Sequence, residues 1–136
     1  MHEKKMPVLV MFNDLDRLKY INDTFGHEYG DFAIVSIAKA MLKHCDADAI
    51  AARTGGDEFI VLEGAKDEES GRVLAQKIRT ELCKTQRAMQ LPLHLSASIG
   101  AVVAHPGEEN VLESYVKRAE MLMYEEKAEK KVSRDS

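Results

Sequence analysis

The sequence predicts an α/β sandwich, a β-sheet with helices packed against it. Val8-Leu9-Val10-Met11-Phe12 is an unbroken apolar run, as in a central strand covered on both faces. Two further apolar runs flank Gly55-Gly56, as in a β-hairpin. Between and after these strands lie helix-length segments whose apolar residues recur every three or four positions. The order that results is β-α-α-β-β-α-β-α, and such alternation packs most simply as helices on a sheet.

The chain opens with a polar end, about residues 1–6, that is expected to fray. The first strand stops at Asn13-Asp14-Leu15-Asp16. In α/β sheets the ligand crevice lies beyond the carboxyl ends of the strands, so Asp14 and Asp16 stand where chemistry usually happens. An acidic pair at such a junction also commonly caps the next helix. That helix is read over Leu15 to Phe25, with Leu15, Leu18, Ile21 or Asn22, and Phe25 on one side, Lys19 near its start and Gly26 closing it. A second helix, about Tyr29 to His44, carries the stripe Phe32, Val35, Ala38, Met41 and Leu42. Asp31 falls in its first turn, where a carboxylate also suits the helix dipole.

The hairpin centres on Arg53-Thr54-Gly55-Gly56-Asp57-Glu58-Phe59. A two-residue Gly-Gly loop supplies the positive φ angles of a type I′ or II′ turn. Asp57 and Glu58 are out of place in an apolar strand, which leaves either a solvated acidic tip or a cation held near the backbone. A third helix follows, capped by Asp67, reaching about Ala88, with Val73, Leu74, Ile78 and Leu82 inward. Pro92 precedes a strand from Leu93 to Val103. Leu93, Leu95, Ala97, Ile99, Ala101 and Val103 share one face of it; His94, Ser96, Ser98 and Gly100 share the other, which is small enough for close packing or a nearby ligand. His105-Pro106-Gly107 reads as a turn. A last helix, about Asn110 to Lys130, buries Leu112, Tyr115 or Val116, Ala119, and Leu122 or Met123, while Lys117 projects off that stripe. The charged tail, about 131–136, is expected to fray.

One domain of 136 residues, 45% apolar and 31% charged, has enough chain to bury a sizeable core. A formal charge of −4 argues against a nucleic-acid duplex as partner. No apolar run approaches the ~20 residues that span a bilayer, so no membrane contact by this domain is expected. Cys45 and Cys83 lack metal-binding spacing and read as reduced thiols of a cytoplasmic protein.

If Asp14 and Asp57 converge, their charges repel unless they protonate or hold a cation. Oxygen ligands with few His or Cys nearby favour Mg²⁺, completed by water and substrate phosphates. Such a site serves phosphoryl or nucleotidyl transfer. Lys19 and Lys117 can neutralise phosphate oxygens, with amides at the helix start adding donors. Asn22 and Asp31 suit a guanine edge, the amide addressing N3 or N2 and the carboxylate accepting from N1–H and N2–H.

The run Asp14-Leu15-Asp16-Arg17-Leu18-Lys19-Tyr20-Ile21-Asn22-Asp23, then Gly26-His27, Gly30-Asp31 and Gly55-Gly56-Asp57-Glu58-Phe59, resembles the GGDEF domain family of diguanylate cyclases. Ala97-Ser98-Ile99-Gly100, Lys117-Arg118-Ala119-Glu120 and Tyr124 extend the resemblance, which covers about Val8 to Lys130. Several motifs agreeing in order and spacing make it specific. The resemblance implies synthesis of cyclic di-GMP from two GTP with Mg²⁺ or Mn²⁺. It also implies a palm-like, mostly antiparallel sheet flanked by helices in βααββαβ order, related to nucleotidyl cyclases. By position, Asp14, the Leu15 carbonyl and Asp57 resemble the metal ligands, and Asp57 also helps deprotonate the attacking hydroxyl. Glu58 belongs to the signature, either with a catalytic part or as a helper that holds a neighbour. Asn22 and Asp31 match guanine-reading positions, Lys19 and Lys117 phosphate contacts, and Gly55 and Gly56 the substrate-side turn.

The chain departs from the family pattern in three places. Met121 stands where members often have a phosphate-binding arginine. The usual helical segment with Asp-x-Leu-Thr before the first strand is absent from this sequence. At the positions of the Arg-x-x-Asp product clamp stand Asp46 and Ala49, so no tight product binding is expected there. The leading reading is a cyclase acting through a transient homodimer. A non-cyclising GGDEF module that binds GTP and regulates a partner is the second. An adenine-using cyclase is disfavoured by Asp31.

Overall fold

The computed structural model describes residues 6–105 and 112–135. The elements are β1 (Val8–Leu15), α1 (Leu18–Phe25), α2 (His27–His44), β2 (Ile50–Arg53), β3 (Glu58–Gly64), α3 (Ser70–Ala88), β4 (Ala97–Ala104) and α4 (Leu112–Asp135). The sheet has four strands in the order β2-β3-β1-β4, every neighbouring pair antiparallel. The expected α/β sandwich with a central antiparallel sheet is therefore what the chain forms.

β1 is central because both of its faces are apolar. Leu9, Met11 and Leu15 enter the larger core with Ile21 of α1, Ile37 and Met41 of α2, and Leu74, Ile78 and Leu82 of α3. Val10 and Phe12 face the other way, onto Ala119 and Met123 of α4. That second layer is thin, and Gly100 makes it possible. A Cβ there would lie 2.1 Å from the Ala119 carbonyl oxygen and 2.4 Å from the Met123 nitrogen. The small face read from β4 is thus the seat of α4.

Several elements differ from the sequence reading. Leu15 ends β1 rather than opening a helix; α1 starts at Leu18, after Arg17 in a left-handed conformation (φ 58°, ψ 38°). The hairpin forms, but not as a two-residue Gly-Gly turn. Arg53 pairs with Phe59, and the amides of Thr54 and Gly55 donate to the Glu58 carbonyl at 2.8 and 3.3 Å, leaving Gly55, Gly56 and Asp57 as the tip. Neither tip glycine has positive φ. Arg53 stabilises this wider tip, its Nε donating to the carbonyls of Gly55 (3.1 Å) and Gly56 (3.0 Å).

On α2 the buried stripe is Ala33, Ile37, Ala40 and Met41, whereas Val35 and Leu42 are exposed. This helix is apolar on more than one side, so periodicity alone could not choose the face. Val73 of α3 is likewise exposed. Asp67 does not cap α3; its carboxylate accepts from the Glu69 amide two residues on, and Glu69 precedes the helix. β4 begins only at Ala97, opposite Leu15, although the Asp16 amide still donates to the Ser96 carbonyl at 2.9 Å. Leu93 and Leu95 are nonetheless buried in the core as expected, with the Leu95 amide donating to Gln86 Oε1 at 2.9 Å. On α4 Leu112 and Leu122 are exposed while Ala119 and Met123 are buried, and the helix runs on to Asp135. The expected turn at Pro106-Gly107 and the helix start at Asn110 lie outside the described residues.

Gly100→Ala should cost about 2–3 kcal/mol, because the methyl meets α4 backbone rather than a flexible side chain. Chemical denaturation checks this; a loss below about 0.5 kcal/mol would mean that α4 does not depend on that contact.

Candidate active site

The chemistry-bearing residues gather at the carboxyl end of β1. Pairing with β3 sets Asp14 opposite Glu58, and the Leu15 amide donates to the Asp57 carbonyl at 2.9 Å, so strand register alone brings Asp14 and Asp57 together. Asp14 and Asp16 point to the α4 side, 5% and 4% exposed. Each meets a lysine of α4. Lys127 Nζ stands 3.1 Å from Asp14 Oδ1 and donates to the Leu15 carbonyl at 3.2 Å. Lys130 Nζ donates to Asp16 Oδ2 at 2.7 Å and to the Ala97 carbonyl at 2.8 Å.

The two carboxylates are satisfied to different degrees. Asp16 also accepts from Ser96 Oγ (2.7 Å) and Ser98 Oγ (2.6 Å). Burial alone would raise its pKa, but the hydrogen bonds from Lys130, Ser98 and Ser96 outweigh that and hold it below the usual range. Asp14 has an ammonium nearby but no aligned hydrogen-bond donor on Oδ1 among the described residues. Burial pushes its pKa to about 6; Lys127 works against the rise and the neighbouring Asp57 adds to it.

Glu58 is held at both oxygens: Thr54 Oγ1 donates to Oε1 at 3.3 Å and Tyr124 OH to Oε2 at 3.1 Å. Burial and that bond push the Tyr124 pKa up to about 12. Glu58 therefore ties the hairpin to α4. A Cβ on Gly55 would meet Glu58 Cβ at 3.7 Å, and one on Gly56 would meet nothing within 4 Å. Within the chain these glycines have room, so the space above them is open to a ligand.

Asn22 and Asp31 come together through the α1–α2 junction. Gly26, with φ 103°, ends α1 and starts α2, its amide donating to the Asn22 carbonyl at 3.0 Å. Gly30 then passes so close that an added Cβ would lie 1.8 Å from Asn22 Oδ1. That oxygen is buried without a partner among the described residues, and exposed Asp31 follows directly. Lys19 on α1 and Lys117 on α4 are both exposed and have no ion-pair partner among the described residues. Asp46 lies in the α2–β2 connection, its amide donating to Glu63 Oε1 at 3.0 Å, so this spot is acidic.

The donor set fits a hard divalent cation. It offers the Asp14 carboxylate, the Leu15 carbonyl and Asp57, and an ammonium already stands against the first two. Among the described residues no group of three or more acidic, His or Cys side chains could hold a metal, so further ligands would have to come from water or substrate. Sequence reasoning missed Lys127, Lys130 and the Glu58–Tyr124 link. The signal was present, since Lys127 and Lys130 continue the buried α4 positions Ala119 and Met123 at helical spacing.

A palm-like antiparallel sheet with carboxylates at the end of its central strand defines a domain of the nucleotidyl-cyclase type. A profile of the family described as diguanylate cyclase, GGDEF domain, matches residues 1–133, and this chain belongs to that family. It is 34% identical over 130 residues to diguanylate cyclase VdcA of Vibrio cholerae, covering 93% of this chain and 38% of that protein. It is 30% identical over 123 residues to cyclic di-GMP phosphodiesterase PdeR of Escherichia coli, covering 90% of this chain and 18% of that one. The chain thus spans well under half the length of these relatives. The GGDEF domain of PA1120 (YfiN or TpbB) from Pseudomonas aeruginosa superposes with a TM-score of 0.75 at 29% identity, covering 91% of this chain and 78% of that one.

Asp14 is harder to ionise folded than unfolded. In the metal-free protein it therefore imposes no penalty below its ordinary pKa of 3.8 and a growing one as pH rises through about 6. Asp14→Asn should remove that penalty, raising metal-free stability at pH 7.5 on the order of 1 kcal/mol, with the difference fading towards pH 4. Melting curves in chelator at both pH values test this, and a variant less stable than wild type at pH 7.5 would contradict it.

Proposed function

We propose that this chain is the catalytic domain of a diguanylate cyclase, condensing two GTP into cyclic di-GMP with release of two pyrophosphates. The observation that carries this reading is the convergence of Asp14, the Leu15 carbonyl and Asp57 beneath the open Gly55-Gly56 tip. A divalent cation, Mg²⁺ or Mn²⁺, held by Asp14, the Leu15 carbonyl and Asp57 would supply charge neutralisation at the α-phosphate.

The chain's own groups account for the rest. Asn22, whose buried Oδ1 has no partner among the described residues, and the Asp31 carboxylate read the guanine edge. Lys19 and Lys117, with no ion-pair partner among the described residues, pair with phosphate oxygens. Gly55 and Gly56 let the sugar and phosphates approach the backbone. Asp57 accepts the proton of a 3′-hydroxyl as its oxygen bonds to the α-phosphorus of the other nucleotide and the bond to the β-phosphate breaks. Glu58, held by Thr54 and Tyr124, keeps the tip in place. Asp57→Asn should abolish product formation from GTP and Mg²⁺ while leaving the melt cooperative. Chromatographic separation of the nucleotides checks it, and near-wild-type turnover would exclude the role given to Asp57.

One guanine site per chain holds one GTP, so two chains must meet with their hairpins opposed, an isologous pair. The faces that meet carry Asp57 and Glu58 and have little apolar area for stable association. The active species is then a transient, substrate-bridged homodimer, and specific activity should rise with protein concentration to a plateau. Flat specific activity across a hundredfold dilution, in a protein that sediments as a monomer, would rule this out.

The second reading, a GTP-binding module that regulates a partner without cyclising, draws on Met121, which is exposed where a basic phosphate contact is expected. GTP binding without conversion in the same assay would favour it.

A further inference from the structure

We infer that Lys127 is a resident counter-ion of the candidate cation site and competes with a divalent cation for the same oxygens. The inference rests on the reading of Asp14 and the Leu15 carbonyl as cation ligands. Lys127 Nζ stands 3.1 Å from Asp14 Oδ1 and 3.2 Å from the Leu15 carbonyl oxygen, and 3.9 Å from Asp16 Oδ1. Two of the donors that would hold the cation are thus already engaged by a single positive charge.

Lys130, one turn further along α4, shows the contrast. It contacts Asp16 Oδ2 at 2.7 Å, the Ala97 carbonyl at 2.8 Å and Glu126 Oε1 at 3.3 Å, and it serves the fold. Lys127 makes longer contacts, a 3.2 Å bond to the Leu15 carbonyl and ion-pair approaches of 3.1 and 3.9 Å to Asp14 and Asp16. The two lysines are about equally exposed, 36% and 34%, so the weaker contacts are what let the flexible stem of Lys127 withdraw its ammonium into water without moving the helix. The helix itself cannot retreat, since Ala119 and Met123 are seated on Gly100.

Electrostatics gives the exchange its direction. Without metal, Asp14 lies beside Asp57 in a cleft that excludes much water, and an ammonium lowers the repulsion between them. With a divalent cation on the Asp14 carboxylate, an ammonium on the same oxygen becomes a like charge at contact distance and is expelled. Lys127 therefore stabilises the metal-free cleft and weakens intrinsic metal affinity. Removing it should shift both quantities in opposite directions.

The experiment is Mn²⁺ binding followed by electron paramagnetic resonance without nucleotide, on the full chain and its variants Lys127→Met, Lys131→Met and Asp14→Asn. Lys127→Met should bind Mn²⁺ about tenfold more tightly. In chelator at pH 7.5 it should melt below wild type, and added Mn²⁺ should restore more stability to it than to wild type. Lys131→Met removes the same charge from an exposed position on the same helix and should change affinity less than twofold. If Lys127→Met folds poorly, Lys127→Gln carries the same expectations. Affinity unchanged or weakened by loss of the Lys127 charge, or tightened equally by Lys131→Met, would overturn the counter-ion role. Asp14→Asn separates the two readings. Loss of binding there with an unchanged Lys127 variant sinks the counter-ion alone, whereas Asp14→Asn binding like wild type sinks the ligand assignment beneath it.

Discussion

Two carboxylates buried at the end of the central strand require a counter-charge, and much of the architecture follows from supplying it. Asp14 and Asp16 point to the same side of β1, where burial without partners would be prohibitive. Among the described residues α4 is the helix packed on that side of the strand, so the positive charges come from α4. Lys127 and Lys130 carry them. Gly100 lets the helix come close, since a methyl there would collide with the α4 backbone. Ser96 and Ser98 complete the arrangement from β4, as side chains short enough to fit beneath the helix and polar enough to bond Asp16.

Much of this was legible in the sequence, for identifiable reasons. The apolar run Val8 to Phe12 had to be central because only a strand covered on both faces buries consecutive residues. The hairpin had to bring Asp57 towards Asp14, because antiparallel register leaves no other place for it. What could not be read were choices made by distant contacts. The inward face of α2 depends on what packs against it, and its sequence offered two apolar stripes. The hairpin tip depends on Arg53 reaching the carbonyls of Gly55 and Gly56 rather than on glycine φ preferences. Lys127 and Lys130 looked like the polar end of a solvated helix, and only the fold brings them to acids more than a hundred residues away.

Glu58 is held from two sides. Thr54 donates to one of its oxygens and Tyr124 to the other, so each oxygen already accepts one bond. The same contacts join the hairpin to the helix that carries the lysines. Movement of the tip relative to α4 therefore strains the Glu58–Tyr124 bond before it disturbs the Asp14–Lys127 pair.

Asp14 and Asp16 differ in how fully the chain satisfies them. The two are two residues apart, on one face, equally buried, and each lies against a lysine. Asp16 has its oxygens occupied by three well-placed donors and is easier to ionise than a free carboxyl. Asp14 has a mobile ammonium and an acidic neighbour, and is harder to ionise. Asn22 follows the same pattern, with a buried oxygen that nothing in the described chain satisfies, seated against a glycine that leaves it just enough room. Incomplete satisfaction of a buried polar atom costs stability unless a ligand or water completes it. Among the described residues the buried side-chain atoms without a partner are Asp14 Oδ1 and Asn22 Oδ1, proposed to meet a cation and guanine, together with both polar atoms of Asn13 and Arg79 Nε. The bonded Asp16 and Glu58, by contrast, join strand, helix and hairpin.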